Sequence, residues 1–137
     1  MKRNREESQR WFNQSKYDLE AAKRNFEQKI YPYTCFLAEQ AAQKALKSFL
    51  FLKGERYVWE LSVQKLIDGN SHYNRQFTAL KEAGAILDKY YLTTRYPDAV
   101  APPALPYESY TEKEALDALE LSGGILDTVR NELEGEY

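Results

Sequence analysis

Apolar positions recur along most of this chain at spacings of three and four. Phe12, Ser15, Leu19, Ala22 and Phe26 form one such stripe, widened by Trp11, and predict a helix from about Glu7 to Lys29. Ile30-Tyr31-Pro32 breaks it, because Pro32 lacks an amide hydrogen but suits the first turn of a new helix. The second stripe is Ala38, Ala42, Ala45, Phe49 and Leu52, which predicts a helix over Pro32 to Leu52 with Gly54 as its stop. Its alanines favour helix and let neighbouring axes approach. A shorter helix is expected from Val58 to Ile67, ended by Asp68-Gly69-Asn70-Ser71. A fourth is expected from Asn74 to Leu92, with Phe77, Leu80, Gly84, Leu87 and Tyr91 on one side.

The periodicity then stops. Residues 99–110 contain Pro102, Pro103 and Pro106, and a loop this long is uncommon in a compact domain unless it has a function. Thr111 followed by Glu114 is a capping box that opens the last helix, whose stripe is Ala115, Leu119, Ser122, Leu126, Val129 and Leu133. Gly123-Gly124 in its middle predicts a kink or a close helix crossing. No run alternates strictly, so no strand is expected. The fold class is therefore all-α: a bundle of about five helices in a single domain over residues 1–137.

Composition narrows the function classes. The formal net charge is −2, so the chain lacks the global positive field of a sequence-independent DNA binder. One cysteine and one histidine exclude an internal disulfide and a zinc cluster, and no metal or cofactor is expected. No apolar run approaches a membrane span, and the charged opening segment lacks a signal-peptide core, so the chain reads as cytoplasmic. Eleven tyrosines, six phenylalanines and two tryptophans are the unusual feature, and such rings suit interfaces as well as cores.

Ordinary catalytic motifs are missing: there is no Walker loop, no GxGxxG and no paired-glutamate metal motif. His72 lies in a turn and reads as a solvated group, and Cys35 reads as a small buried hydrophobe. Gln40, Lys44 and Lys47 share a helix face. Lys47 reads as solvated there, while Gln40 and Lys44 flank the alanine stripe and can meet a partner. The strongest local signal is Tyr90-Tyr91-Leu92-Thr93-Thr94-Arg95-Tyr96-Pro97-Asp98. Arg95 offers a planar fork for phosphate or carboxylate, Asp98 can orient it, and Tyr90, Tyr91 and Tyr96 offer ring faces to a base. A purely structural corner, with Arg95 consumed by Asp98, is the competing reading.

Two segments taken together carry a family likeness. Gln40-Ala41-Ala42-Gln43-Lys44-Ala45-Leu46-Lys47, followed by Arg95-Tyr96-Pro97-Asp98, resembles the HEPN domain family (higher eukaryotes and prokaryotes nucleotide-binding) in its minimal, RYPD-containing form. Trp11 and Tyr17-Asp18-Leu19, Ser62-Val63-Gln64-Lys65-Leu66, Tyr110-Thr111 and Ala115 extend the likeness over most of the chain. The resemblance implies an up-and-down helical bundle like a nucleotidyltransferase substrate-binding subunit, a homodimer with the RYPD element in its interface cleft, and a nucleotidyltransferase partner in a toxin–antitoxin pair. Joined to the residue reading above, it points to nucleotide or RNA binding at Arg95, Tyr96, Asp98, Lys44, Gln40 and Tyr91. Many relatives are metal-independent ribonucleases in which a histidine follows the arginine with four to six residues between them. Here those positions are Val100, Ala101 and Pro102, and Leu61 stands where relatives carry another histidine. Without imidazole, acid–base help needs another group. The expectation is a nucleotide- or RNA-binding protein with no confident catalytic residue. A ribonuclease using Arg95 with a substitute acid or base, and a pure protein-interaction module, are the alternatives.

Overall fold

The computed structural model describes residues 2–137 and contains five α-helices, with no strand among the described residues. They are α1 (Lys2–Glu27), α2 (Tyr31–Leu52), α3 (Val63–Ser71), α4 (Lys81–Asp88) and α5 (Glu112–Glu136). The all-helical bundle expected from the stripes is the fold observed.

Helices α1 and α2 form an antiparallel hairpin. The turn is closed by Lys29, which adopts φ 63°, while the Ile30 amide donates to the Asn25 carbonyl at 2.8 Å. Such reversal at a helix end satisfies carbonyls that have no partner inside the helix. Helix α2 is the centre of the bundle, flanked by α1, α3 and α5. Ala38, Ala41, Ala42 and Ala45 have no exposed surface, so neighbouring backbones come close. Ser122 of α5 shows how close: its hydroxyl donates to the Ala38 carbonyl at 2.7 Å. Further along α2, Leu46 and Phe49 are fully buried, and Phe49 meets Phe77 at 4.9 Å between ring centroids. Burying side chains of this size contributes roughly 1.5–3 kcal/mol each.

The middle of the chain departs from its sequence pattern. Residues 58–62 are not helical, and α3 begins only after Ser62, whose side chain accepts from the Lys65 amide. The Asp88 carboxylate, at the end of α4, accepts from the Val63 amide at 2.5 Å, the Gln64 amide at 3.2 Å and the Ser62 hydroxyl at 2.8 Å. A carboxylate at a helix N-terminus satisfies free amides and opposes the positive end of the helix dipole. The stop expected across Asp68–Ser71 comes only at its far end, after Ser71. Asn70 and Ser71 instead fold back onto the Leu66 and Ile67 carbonyls, at 2.7 and 2.8 Å, and stay helical.

The single helix expected over Asn74–Leu92 is a 3-10 turn at Arg75–Leu80, then α4, then turns. Gly84 lies where α4 crosses α3: an added Cβ would stand 2.6 Å from Ile67 Cδ1 and 3.1 Å from Gln64 backbone. Gly123 and Gly124 behave otherwise than expected. Helix α5 is continuous, and nothing lies within 4 Å of a Cβ built on either glycine, so they mark neither a kink nor a close crossing. The capping box at Thr111 and Glu114 is formed as its sequence suggests.

A line of polar side chains is buried along α2. Glu39 is fully buried and accepts from Gln40 at 2.9 Å and from Gln43. Lys47, expected to be solvated, is only 7% exposed, with its ammonium 5.7 Å from the Trp11 ring centre. Its long stem is covered by neighbours that the helix pattern alone does not reveal. Burial pushes the Glu39 carboxyl from 4.5 up to about 7, with Asp88 adding to the rise, while Gln43, Gln40 and Arg95 oppose it. Burial likewise lowers the Lys47 ammonium, against the pull of Glu39 and Glu60.

Two outcomes follow. Gly84→Ala lowers stability by about 1–3 kcal/mol, read by urea unfolding, because the Gln64 backbone has to yield. Between pH 4.5 and about 7, folded Glu39 retains a proton that the unfolded chain has released. Its contribution is therefore fully present below pH 4.5 and is lost as pH rises to about 7, by roughly 3 kcal/mol. Glu39→Gln removes this slope, so the stability difference between variant and wild type changes across that window. A difference constant with pH rejects the assignment.

Candidate nucleic-acid site at Arg95

Arg95 lies in the run of turns that follows α4. Its Nε and Nη2 both donate to the Tyr91 carbonyl, at 3.1 and 2.5 Å. Its guanidinium lies 4.0 Å from the Phe36 ring centre, 5.1 Å from Tyr91 and 5.0 Å from Tyr96. Rings thus hold the cation by their faces, which fixes the plane of the fork without neutralising its charge. Asp98, expected to orient Arg95, does not pair with it. Asp98 is exposed in the 3-10 turn Pro97–Ala99, and no carboxylate forms an ion pair with Arg95 among the described residues. Pro97 carries the chain into that turn and points Asp98 elsewhere.

Two recesses share Arg95 and Tyr33 as a common wall. One, of about 370 Å³, lies toward the proline-rich loop and also takes in Lys29, Pro97 and Tyr107. The other, of about 460 Å³, also takes in Asn25, Phe36 and Tyr96. Neither has a carboxylate in its wall, in a chain with 21 acidic residues. Both are of the size that binds small ligands. The loop wall is anchored: the Tyr110 hydroxyl donates to Thr93 Oγ1 at 2.5 Å, and Tyr110 packs edge-on to Tyr90.

The expected site residues divide. Arg95 and Tyr96 line a recess, and Tyr91 serves them by holding the guanidinium. Tyr90 is buried against Tyr110 and offers no face to a base; burial pushes its hydroxyl up to about 12. Lys44 is not brought to Arg95. It pairs with Asp18 at 2.5 Å and faces a separate groove beside Trp11 and Tyr17. Gln40 is engaged with Glu39. His72 is exposed beyond α3 and lines neither recess. Cys35 is buried, with its thiol pushed up to about 12 by desolvation, then by Glu114, so it is a packing residue.

Sequence pattern offers no reason to single out Lys29, Tyr33, Phe36 or Tyr107. Lys29 and Tyr33 flank the break at Pro32, the one local hint that their side chains stand at a helix end. Among the described residues no His, Cys, Asp and Glu cluster could hold a metal, and no helix is long and apolar enough to cross a membrane.

Comparison with known proteins agrees with the helical fold. No curated protein matches the chain. Among solved structures, TT1696 from Thermus thermophilus is 34% identical, with a TM-score of 0.85, covering 91% of this chain and 97% of that one. The archaeal HEPN homologue ST0689 is 30% identical, with a TM-score of 0.76, covering 93% and 98%. Residues 8–132 match the HEPN domain, and the chain belongs to the HEPN domain family.

Proposed function

We propose that this chain is a homodimeric nucleotide- or RNA-binding HEPN protein that acts with a nucleotidyltransferase partner in the cytoplasm and has little or no ribonuclease activity. One observation carries the reading. Arg95 is held by rings and a carbonyl rather than by a carboxylate, and it opens onto two acid-free recesses. A guanidinium so placed keeps its charge and its Nη1 donors for an anion. Tyrosine faces beside it suit a base. Tyr96 is exposed over 48% of its surface and Tyr33 over 52%, so both rings are open to a ligand.

The catalytic alternative has one group in its favour. Glu39 titrates near neutrality and feels the charge of Arg95, as a substitute acid or base would. It is, however, fully buried and already engaged by two glutamines, so it cannot reach an RNA hydroxyl. The other ionisable side chains lining the recesses with Arg95 are tyrosines and Lys29, residue types whose reference pKa values lie far from neutrality.

Calorimetric titration of wild type with ATP and with a short single-stranded RNA is expected to show binding, and Arg95→Ala to abolish it. Lost packing against three rings costs that variant about 1–2 kcal/mol and leaves it folded. No binding by wild type, together with a collapse of the melting temperature in Arg95→Ala, would establish the structural-corner reading instead. Light scattering at tens of micromolar is expected to give a dimer mass. Incubation with RNA in chelator is expected to leave the RNA intact; cleavage that disappears in Arg95→Ala would overturn the non-catalytic assignment.

A further inference from the structure

We infer that the site is built for one dinucleotide step of single-stranded nucleic acid: Arg95 takes the bridging phosphodiester, and each of the two flanking recesses takes one nucleoside. This rests on the binding role proposed for Arg95 and adds the unit that is recognised. The recesses are two, of similar size, about 370 and 460 Å³, and they meet at Arg95 and Tyr33. A ligand filling both has to cross the guanidinium midway along its length. A phosphodiester between two nucleosides has its single negative charge at that midpoint.

Each recess carries its own ring for a base. Tyr107 is 73% exposed at the rim of one, and Tyr96 is 48% exposed at the other. Their positions differ in what else they offer. Lys29 adds a second cation to the Tyr107 side, suited to a further backbone phosphate. It stands at the α1–α2 turn with φ 63°, and no ion pair occupies it among the described residues. Asn25 gives the Tyr96 side an amide, whose nitrogen donates to the Ala21 carbonyl at 2.8 Å, which leaves its oxygen as an acceptor for a base edge. Because both walls lack carboxylates, a polyanion meets no repulsion at close range, despite the chain's net charge of −2. A lone nucleotide fills one recess and leaves the other to water.

The test compares ligands of one base in the full chain: uridine 5′-monophosphate, the dinucleotide UpU and the uridine octamer, titrated calorimetrically. UpU is expected to bind at least tenfold more tightly than the monophosphate, although it carries less charge, so the gain reports the second recess. The octamer is expected to add less over UpU than UpU adds over the monophosphate. Tyr107→Ala, at an exposed position that is not among the rings holding Arg95, is expected to bring UpU to the affinity of the monophosphate; Tyr96→Ala, which also removes one of those rings, is expected to weaken both ligands and UpU the more. Lys29→Asn, which tolerates the positive φ, is expected to weaken the octamer more than UpU. Equal affinity of UpU and the monophosphate, or UpU binding indifferent to both tyrosine changes, overturns the two-recess assignment while leaving Arg95 as an anion site. If the octamer itself does not bind wild type, the binding role of Arg95 falls, and this inference with it.

Discussion

The enclosure of α2 is the constraint on which the bundle depends. A helix covered on nearly every side needs a surface of small side chains, and Ala38, Ala41, Ala42 and Ala45 supply it. With those positions small, α1 and α5 approach until a serine hydroxyl of α5 reaches an α2 carbonyl. Larger residues would hold the helices apart and leave the buried polar line of Glu39, Gln43 and Lys47 open to water. The same helix carries Phe36, two residues before Ala38, and Phe36 is the ring on which Arg95 lies most closely.

The cations of this protein are held in contrasting ways, and the contrast locates function. Lys44 is neutralised by Asp18, and Lys47 is buried above Trp11. Arg95 is gripped by aromatic faces and one carbonyl. Only the last arrangement orders a cation while leaving its field directed outward. An acidic chain thus keeps one ordered guanidinium clear of carboxylates, as the proposed anion site requires.

Long stripes were legible in the sequence, and short elements were not. Helix α2 falls within a residue of the span its alanines suggest, and the Thr111 cap starts α5 where expected. These elements are set by local periodicity and capping, which a sequence carries. Helix α3 is displaced because its start depends on Asp88, distant in the chain, and because Asn70 and Ser71 bond their own helix instead of stopping it. The fourth stripe turns Phe77, Gly84 and Leu87 inward as a pattern, yet the chain divides at Leu80 into a 3-10 turn and α4, and α4 ends at Asp88, whose carboxylate is engaged on α3. At the site, Arg95 and Tyr96 could be named because they are adjacent in an unusual motif. Their partners Phe36, Tyr33, Lys29 and Tyr107 come from elements far apart in sequence. Asp98 was misplaced because proximity along the chain is a weak guide to pairing once a proline intervenes.

Asp88 closes a loop of chain from Ser62, 26 positions away, with both of its oxygens engaged on one helix start. Helices α3 and α4 are thereby locked end to end as a subunit of the fold, able to open together as one cooperative piece. The turns that carry Arg95 begin directly after Asp88, so an opening of that piece releases the guanidinium from its rings. Amide exchange at Val63 and Gln64 would then run in step with exchange at Arg95. Were a strand bound at Arg95 as proposed, its residence time would depend in part on how often this remote carboxylate lets go.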